Sequence, residues 1–261
     1  MAGYPLEGQC YKPRLQSSMM SGLRISSIEE FPRDIIPIEI PPSVVILRGI
    51  GWDSNVYLVR SGEEALIVDT GTGVNWHVYA EIWTKNGYLR GIKRAVIFNT
   101  HEHFDHVGGN RAFREWLEGL GIKVLFAAHE ITARTLERGD DYVILGYAYG
   151  RPFEPQPVEM KLNEGDRIKI GSLELRLIHT PGHTAGSACL YLEEGNTKIM
   201  FTGDTVFNGT VGRVDLPTGN GWELRESLER LLEFEVDFGL PGHGRPITEW
   251  RRNLEKVLGL V

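Results

Sequence analysis

The sequence predicts an α/β protein of two similar halves, packed sheet against sheet with helices on the outside. Three observations point there. A run of short apolar segments followed by helical patterns occurs twice along the chain. The length of 261 residues suits one α/β domain or two small ones. Hydrophobic residues make up 41% and charged residues 24%, the composition of a packed globular chain rather than a disordered one.

Residues 1–43 read as an N-terminal arm, and residues 44–261 as the folded domain. Pro32, Pro37, Pro41 and Pro42 punctuate the arm and favour extended backbone. From Val44 the texture changes. Val44–Leu47, Asn55–Val59 and Ala65–Val68 are apolar runs bounded by Gly, Ser or charge, as in an antiparallel meander. Residues 75–86 suit a helix and Ala95–Asn99 a buried strand. Phe113, Trp116, Leu117 and Leu120 fall at the spacing of one helical face. Val124–Ala127 follows as a strand and Glu130–Glu137 as a helix. Residues 138–157 are aromatic and bounded by Pro, without a period, which leaves a lid or a packed excursion open.

The second half repeats the order. Arg167–Ile170, Leu173–Ile178, Ala188–Leu192 and Lys198–Phe201 are candidate strands, with a hairpin turn at Glu194-Gly195-Asn196. Leu224, Leu228, Leu231 and Leu232 mark an amphipathic helix, and a last helix is expected near residues 248–258.

Composition also excludes classes. Cys10 and Cys189 are too few for a disulfide scaffold or a Cys-rich metal site. No apolar run reaches the ~18 residues of a membrane span. Residues 1–21 lack the apolar core of a secretory signal, so a cytoplasmic location is expected. The net charge of −7 argues against tracking a phosphate backbone, so no nucleic-acid partner and no membrane partner are expected. The arm leaves three dispositions open: lying across the body, exchanging between copies of a homo-oligomer, or staying disordered.

The strongest chemical signal is His101-Glu102-His103-Phe104-Asp105-His106, directly after the strand ending at Asn99. Imidazole nitrogens and carboxylate oxygens suit borderline metals, and a turn after a strand can aim several at one point. Three weaker segments follow: Pro181-Gly182-His183, Gly203-Asp204-Thr205 and Pro241-Gly242-His243-Gly244. Each offers one ligand type flanked by Gly at a strand end, and Gly lets backbone approach an ion closely. Five of the eight His fall in these segments.

Taken in this order, the four segments resemble the metallo-β-lactamase superfamily, and Val68-Asp69-Thr70-Gly71 matches its first motif. The resemblance runs from about Val44 to Leu258. It implies a four-layer αββα sandwich of two mixed sheets with a two-metal site at their edge. It also implies His101, His103 and His183 on one ion, Asp105, His106 and His243 on the other, and Asp204 between them. Asp69 would hold a ligand from behind. The implied cofactors are two divalent ions, zinc first, with iron and manganese as alternatives.

An Asp at position 204 is similar to glyoxalase II, the lactonases, RNase Z and the persulfide dioxygenases rather than the lactamases. The stretch Phe207 to Pro217 is similar to the glyoxalase II and persulfide dioxygenase branch. Only about 18 residues follow His243, so the glutathione-binding helical domain of glyoxalase II is not expected. The resemblance therefore implies a compact glyoxalase II-like hydrolase of a small-molecule thioester. A metal-bridging hydroxide would attack the carbonyl, with Asp105 and Asp204 as catalytic carboxylates. An iron persulfide dioxygenase and a lactonase are the alternatives. Arg213 reads either as an ion pair with Asp215 or as a substrate contact, and Trp52 as a pocket wall or as core. His77, His129 and His179 read as ordinary histidines.

Overall fold

The computed structural model describes residues 24–25, 38–40 and 43–261. Two mixed sheets stack face to face between helices. The first sheet holds eight strands in chain order: β1 (Arg24–Ile25), β2 (Ile38–Ile40), β3 (Val44–Leu47), β4 (Val56–Ser61), β5 (Glu64–Val68), β6 (Arg94–Asn99), β7 (Lys123–His129) and β8 (Met160–Leu162). Pairing is antiparallel from β1 to β5 and parallel from β5 to β8. The second sheet holds β9 (Arg167–Ile170), β10 (Leu173–His179), β11 (Ala188–Glu194), β12 (Thr197–Gly203) and β13 (Phe238–Pro241). Only β12–β13 is parallel there.

Alternation along the strands explains the layering. In β5, Ala65 and Ile67 face one apolar cluster while Leu66 and Val68 face another. In β6, Ala95 and Ile97 oppose Val96 and Phe98 in the same way. Both faces of these strands are buried, so the sequence shows apolar runs rather than alternation. One cluster joins the first sheet to α1 (Trp76–Lys85), α3 (Asn110–Gly119) and α4 (Glu130–Arg138). The second lies between the sheets. The third joins the second sheet to α6 (Gly221–Leu231) and α7 (Trp250–Val257). Three cores between four layers make the αββα sandwich.

Several expectations are revised. Ile38–Ile40, assigned to the arm, is strand β2 and extends the meander, with Ile40 buried. The remainder of the 1–43 arm, apart from residues 24–25 and Ser43, lies outside the described residues. Leu120 does not share the buried face of Phe113 and Leu117: α3 ends at Gly119, and Leu120 is 52% exposed at the turn into Gly121. Strand β8 was not anticipated, because three residues carry no readable period. Residues 138–157 are a packed excursion. They hold α5 (Asp141–Ile144) and a single 3-10 turn at Gly146–Tyr149. Ile144 is buried there, and Tyr149 and Phe153 pack on the first core.

Candidate metal centre

The predicted motif residues converge where strands from both sheets end at one edge. Asp69 follows β5 and His101 follows β6. In the same corner α2 (Phe104–Val107) carries Asp105 and His106. From the other sheet, His183 follows β10, Asp204 follows β12 and His243 follows β13. The potential ligand atoms form three overlapping groups: His101, His103 and His183; His101, His106 and Asp204; and Asp105, His106 and His243. Within each group the atoms lie within 4.8 Å of one another. Asp204 stands between the outer groups, with Oδ1 3.2 Å from His106 Nε2 and Oδ2 3.6 Å from His183 Nε2.

Two of the imidazoles, those of His106 and His183, are fixed from behind. Asp69 Oδ2 accepts from His106 Nδ1 at 2.7 Å. The same carboxylate accepts the Thr100 amide at 2.9 Å and its hydroxyl at 2.8 Å, which locks the start of the motif loop. Asp69 adopts a left-handed backbone, φ 58°, to turn its side chain inward. His183 Nδ1 donates to the Arg213 carbonyl at 2.7 Å, leaving Nε2 to face the cluster. Asp105 Oδ2 lies 3.0 Å from His243 Nε2. Gly242 is required by close approach: a Cβ there would stand 2.1 Å from Asp204 Oδ1 and 2.6 Å from His106 Cε1.

The donor set fits a pair of divalent ions. His101 Nε2, His103 Nε2 and Asp204 Oδ1 are buried and have no hydrogen-bond partner. Burying such atoms unpaired is costly; an ion would satisfy His101 Nε2 and Asp204 Oδ1, while His103 presents its Nδ1 to the cluster, 2.9 Å from His183 Nε2. Burial, and then the crowd of neighbouring rings, hold His101 well below the usual imidazole range. Burial and His183 push His103 down to about 3. Both are therefore neutral, the form that ligates metal. Burial also works to lower His106, but Asp204, Asp69 and Asp105 outweigh it and hold that ring well above its ordinary range.

The other two candidates separate. Trp52 is 78% exposed, so it is not core. It lines a cavity beside the cluster together with Phe104 and Arg213. The Arg213 guanidinium is exposed and pairs bidentately with Asp215, both contacts at 2.8 Å. Its nearest link to the cluster is its backbone carbonyl. His129 and His179 stack 3.9 Å apart, away from the ligand groups.

Sequence reasoning missed the supports. Glu102 is fully buried, and its Oε2 accepts Thr132 Oγ1 at 2.8 Å and Thr184 Oγ1 at 3.1 Å. It thus ties the motif loop to the loop of His183. Asn55 Nδ2 donates to the Pro241 carbonyl at 2.9 Å, and the Tyr57 hydroxyl donates to the same oxygen, steadying the His243 loop. Apart from the placement of Glu102 between two His, no sequence signal marks them.

This is an αββα sandwich whose two sheets bring candidate metal ligands together at their shared edge. A profile of the metallo-beta-lactamase superfamily matches residues 49–259, and the chain belongs to that superfamily. It is 34% identical over 205 residues to a probable metallo-hydrolase of Methanocaldococcus jannaschii, covering 77% of this chain and 92% of that one. It is 33% identical to an acyl-coenzyme A thioesterase of Gallus gallus, covering 74% of this chain and 73% of that one. Among solved structures, a protein in a di-iron-bound form matches with a TM-score of 0.61 and 28% identity, covering 78% of this chain and 93% of that one.

Proposed function

We propose that the chain is a metal-dependent hydrolase that cleaves thioesters with two divalent ions. The observation that carries this is the pair of three-residue groups with Asp204 between them. His101, His103 and His183 would hold one ion, Asp105, His106 and His243 the other, and Asp204 would reach both. Such ions supply Lewis acidity toward a carbonyl and lower the pKa of water toward neutrality. The similarity to an acyl-coenzyme A thioesterase supports a thioester substrate. The similarity to a di-iron-bound protein keeps iron beside zinc as the metal.

The chain's own groups have distinct tasks. Asp105 Oδ2 faces His243 Nε2 at 3.0 Å, where both would reach an ion, which would leave Oδ1 to orient the attacking water and take its proton. The water oxygen bonds to the thioester carbon, the carbon–sulfur bond breaks, and the thiolate leaves with the electron pair. A thiolate is a weak base and needs no strong acid beside it, which matches a site whose ionisable groups are nearly all ligands. Asp69 holds His106 in place and does not touch substrate.

His103→Ala should lose one ion per chain and at least ~100-fold of thioester hydrolysis, since catalytic metal chemistry contributes several kcal/mol to the barrier. Full metal content and full activity in that variant would sink the assignment.

A further inference from the structure

A cavity of about 720 Å³ opens beside the ligand cluster, within the range of small-molecule sites. Its lining includes Phe104, which sits between His103 and Asp105. Tyr149 stacks on that ring at 5.2 Å between centroids. Eight large apolar side chains are exposed among the described residues, and three of them, Trp52, Val74 and Tyr147, line this one cavity. Scattered exposed apolar groups are ordinary, but clustering against a chemical centre is informative.

Buried or turn carboxylates brace both walls. The Trp52 turn is held by the buried Asp53. Its Oδ1 accepts the Thr72 amide at 2.8 Å and hydroxyl at 2.5 Å, and its Oδ2 accepts Asn75 Nδ2 at 2.9 Å and the Tyr79 hydroxyl at 2.8 Å. Across the cavity, Asp141 accepts the amides of Tyr147 at 3.0 Å and Phe153 at 2.9 Å. Leu145 there keeps a left-handed backbone, φ 69°, a strain that fixes the turn presenting Tyr147. The four bonds to Asp53 fix the turn that carries Trp52 and leave its indole 78% exposed toward the cavity.

The charge of the lining also selects. The cavity is lined by Arg151 and Arg213 and by no Asp or Glu; the Arg213 guanidinium is paired with Asp215, so Arg151 is the cation the lining offers. Arg151 donates to the Thr72 carbonyl at 3.1 Å and makes no ion pair among the described residues. An anionic ligand with an apolar tail therefore meets attraction at both parts.

We propose that this cavity is the acyl subsite, in which Trp52 and Tyr147 clamp the apolar acyl chain of an anionic thioester and set its preferred length. The inference rests on the thioester reading above and deepens it. Neither residue touches the reacting atoms; both select among substrates.

The test uses the metal-loaded full chain and S-alkyl coenzyme A thioethers, ethyl to dodecyl, which bind but cannot be hydrolysed. Affinity by calorimetry should rise about fourfold per methylene, the gain of burying a CH₂ group, until the cavity is filled. In Trp52→Ala and Tyr147→Ala the dodecyl-over-ethyl ratio should fall at least tenfold, while exposed Leu120→Ser on the far turn should not change it. The ratio of kcat/KM for dodecanoyl over acetyl thioesters should fall in parallel. Flat affinity in the wild type, or unchanged ratios in both variants, would overturn the subsite. Absence of turnover for every thioester, with length-dependent binding intact, would instead remove the catalytic reading and leave the apolar subsite standing.

Discussion

Asp69 shows how much one side chain does at this site. Its carboxylate holds the His106 ring and two groups of Thr100, from a strained left-handed backbone. Asp69→Ala should weaken metal binding at the Asp105, His106 and His243 group by roughly 10–100-fold, the usual effect of removing a support behind a ligand. Chelator competition reads this, and wild-type affinity in the variant would contradict it. Glu102 acts similarly on the other group. Glu102→Ala leaves the Thr132 and Thr184 hydroxyls without their buried acceptor, at a cost of about 1–3 kcal/mol in denaturant unfolding. Glu102→Gln keeps an acceptor oxygen and should cost less; equal losses would show that the contacts do not matter. The seven side chains that converge at the candidate centre were legible because each sits in a short Gly- or His-marked segment after a strand. Glu102, Asn55 and Tyr57 were not, because their partners lie 30 to 186 positions away. No local spacing encodes such contacts.

At the scale of elements, strands were read well and their edges less so. Buried runs such as Ala95–Asn99 announce themselves by continuous apolar residues. Strand β8 is three residues long, and the end of α3 was decided by a glycine turn rather than by the apolar period. The 138–157 excursion has no period, and its place follows from packing of Ile144, Tyr149 and Phe153 on the first core. Helix α6 begins at Asn220, whose side chain accepts the Trp222 amide at 3.0 Å and the Glu223 amide at 3.4 Å. Asn220→Ala should therefore lower stability by about 1 kcal/mol in chemical denaturation. Helix α4 begins at His129, whose Nδ1 accepts the Ile131 amide at 3.4 Å. Burial, and then the stacked His179 ring, push the His129 imidazole down from 6.5 to about 4. Between those values the unfolded chain takes up a proton that the folded chain refuses, so stability falls as pH drops through that window. His129→Gln should flatten this part of the stability profile between pH 7 and 4; an equally steep profile would contradict the account.

At the scale of the molecule, both sheets contribute candidate ligands, so the candidate centre spans the two halves of the sandwich. The first sheet supplies His101, His103, Asp105 and His106, and the second supplies His183, Asp204 and His243. Bound ions would thus cross-link the layers and stabilise the folded state by mass action. Chelation should lower unfolding free energy by about 2.7 kcal/mol where free metal stood at 100 times its Kd. No helix among the described residues is long and apolar enough to cross a membrane. Two repeats of strands then helices were enough to expect a layered sandwich, but the cavity beside the site depends on loops from several elements and had no sequence signature. The most direct test of the two-metal thioesterase account is metal content measured together with thioester turnover under nitrogen, in the wild type and His103→Ala. The account predicts two divalent ions per chain and oxygen-independent hydrolysis in the wild type, with both reduced in the variant. One iron per chain with turnover that requires oxygen would contradict it.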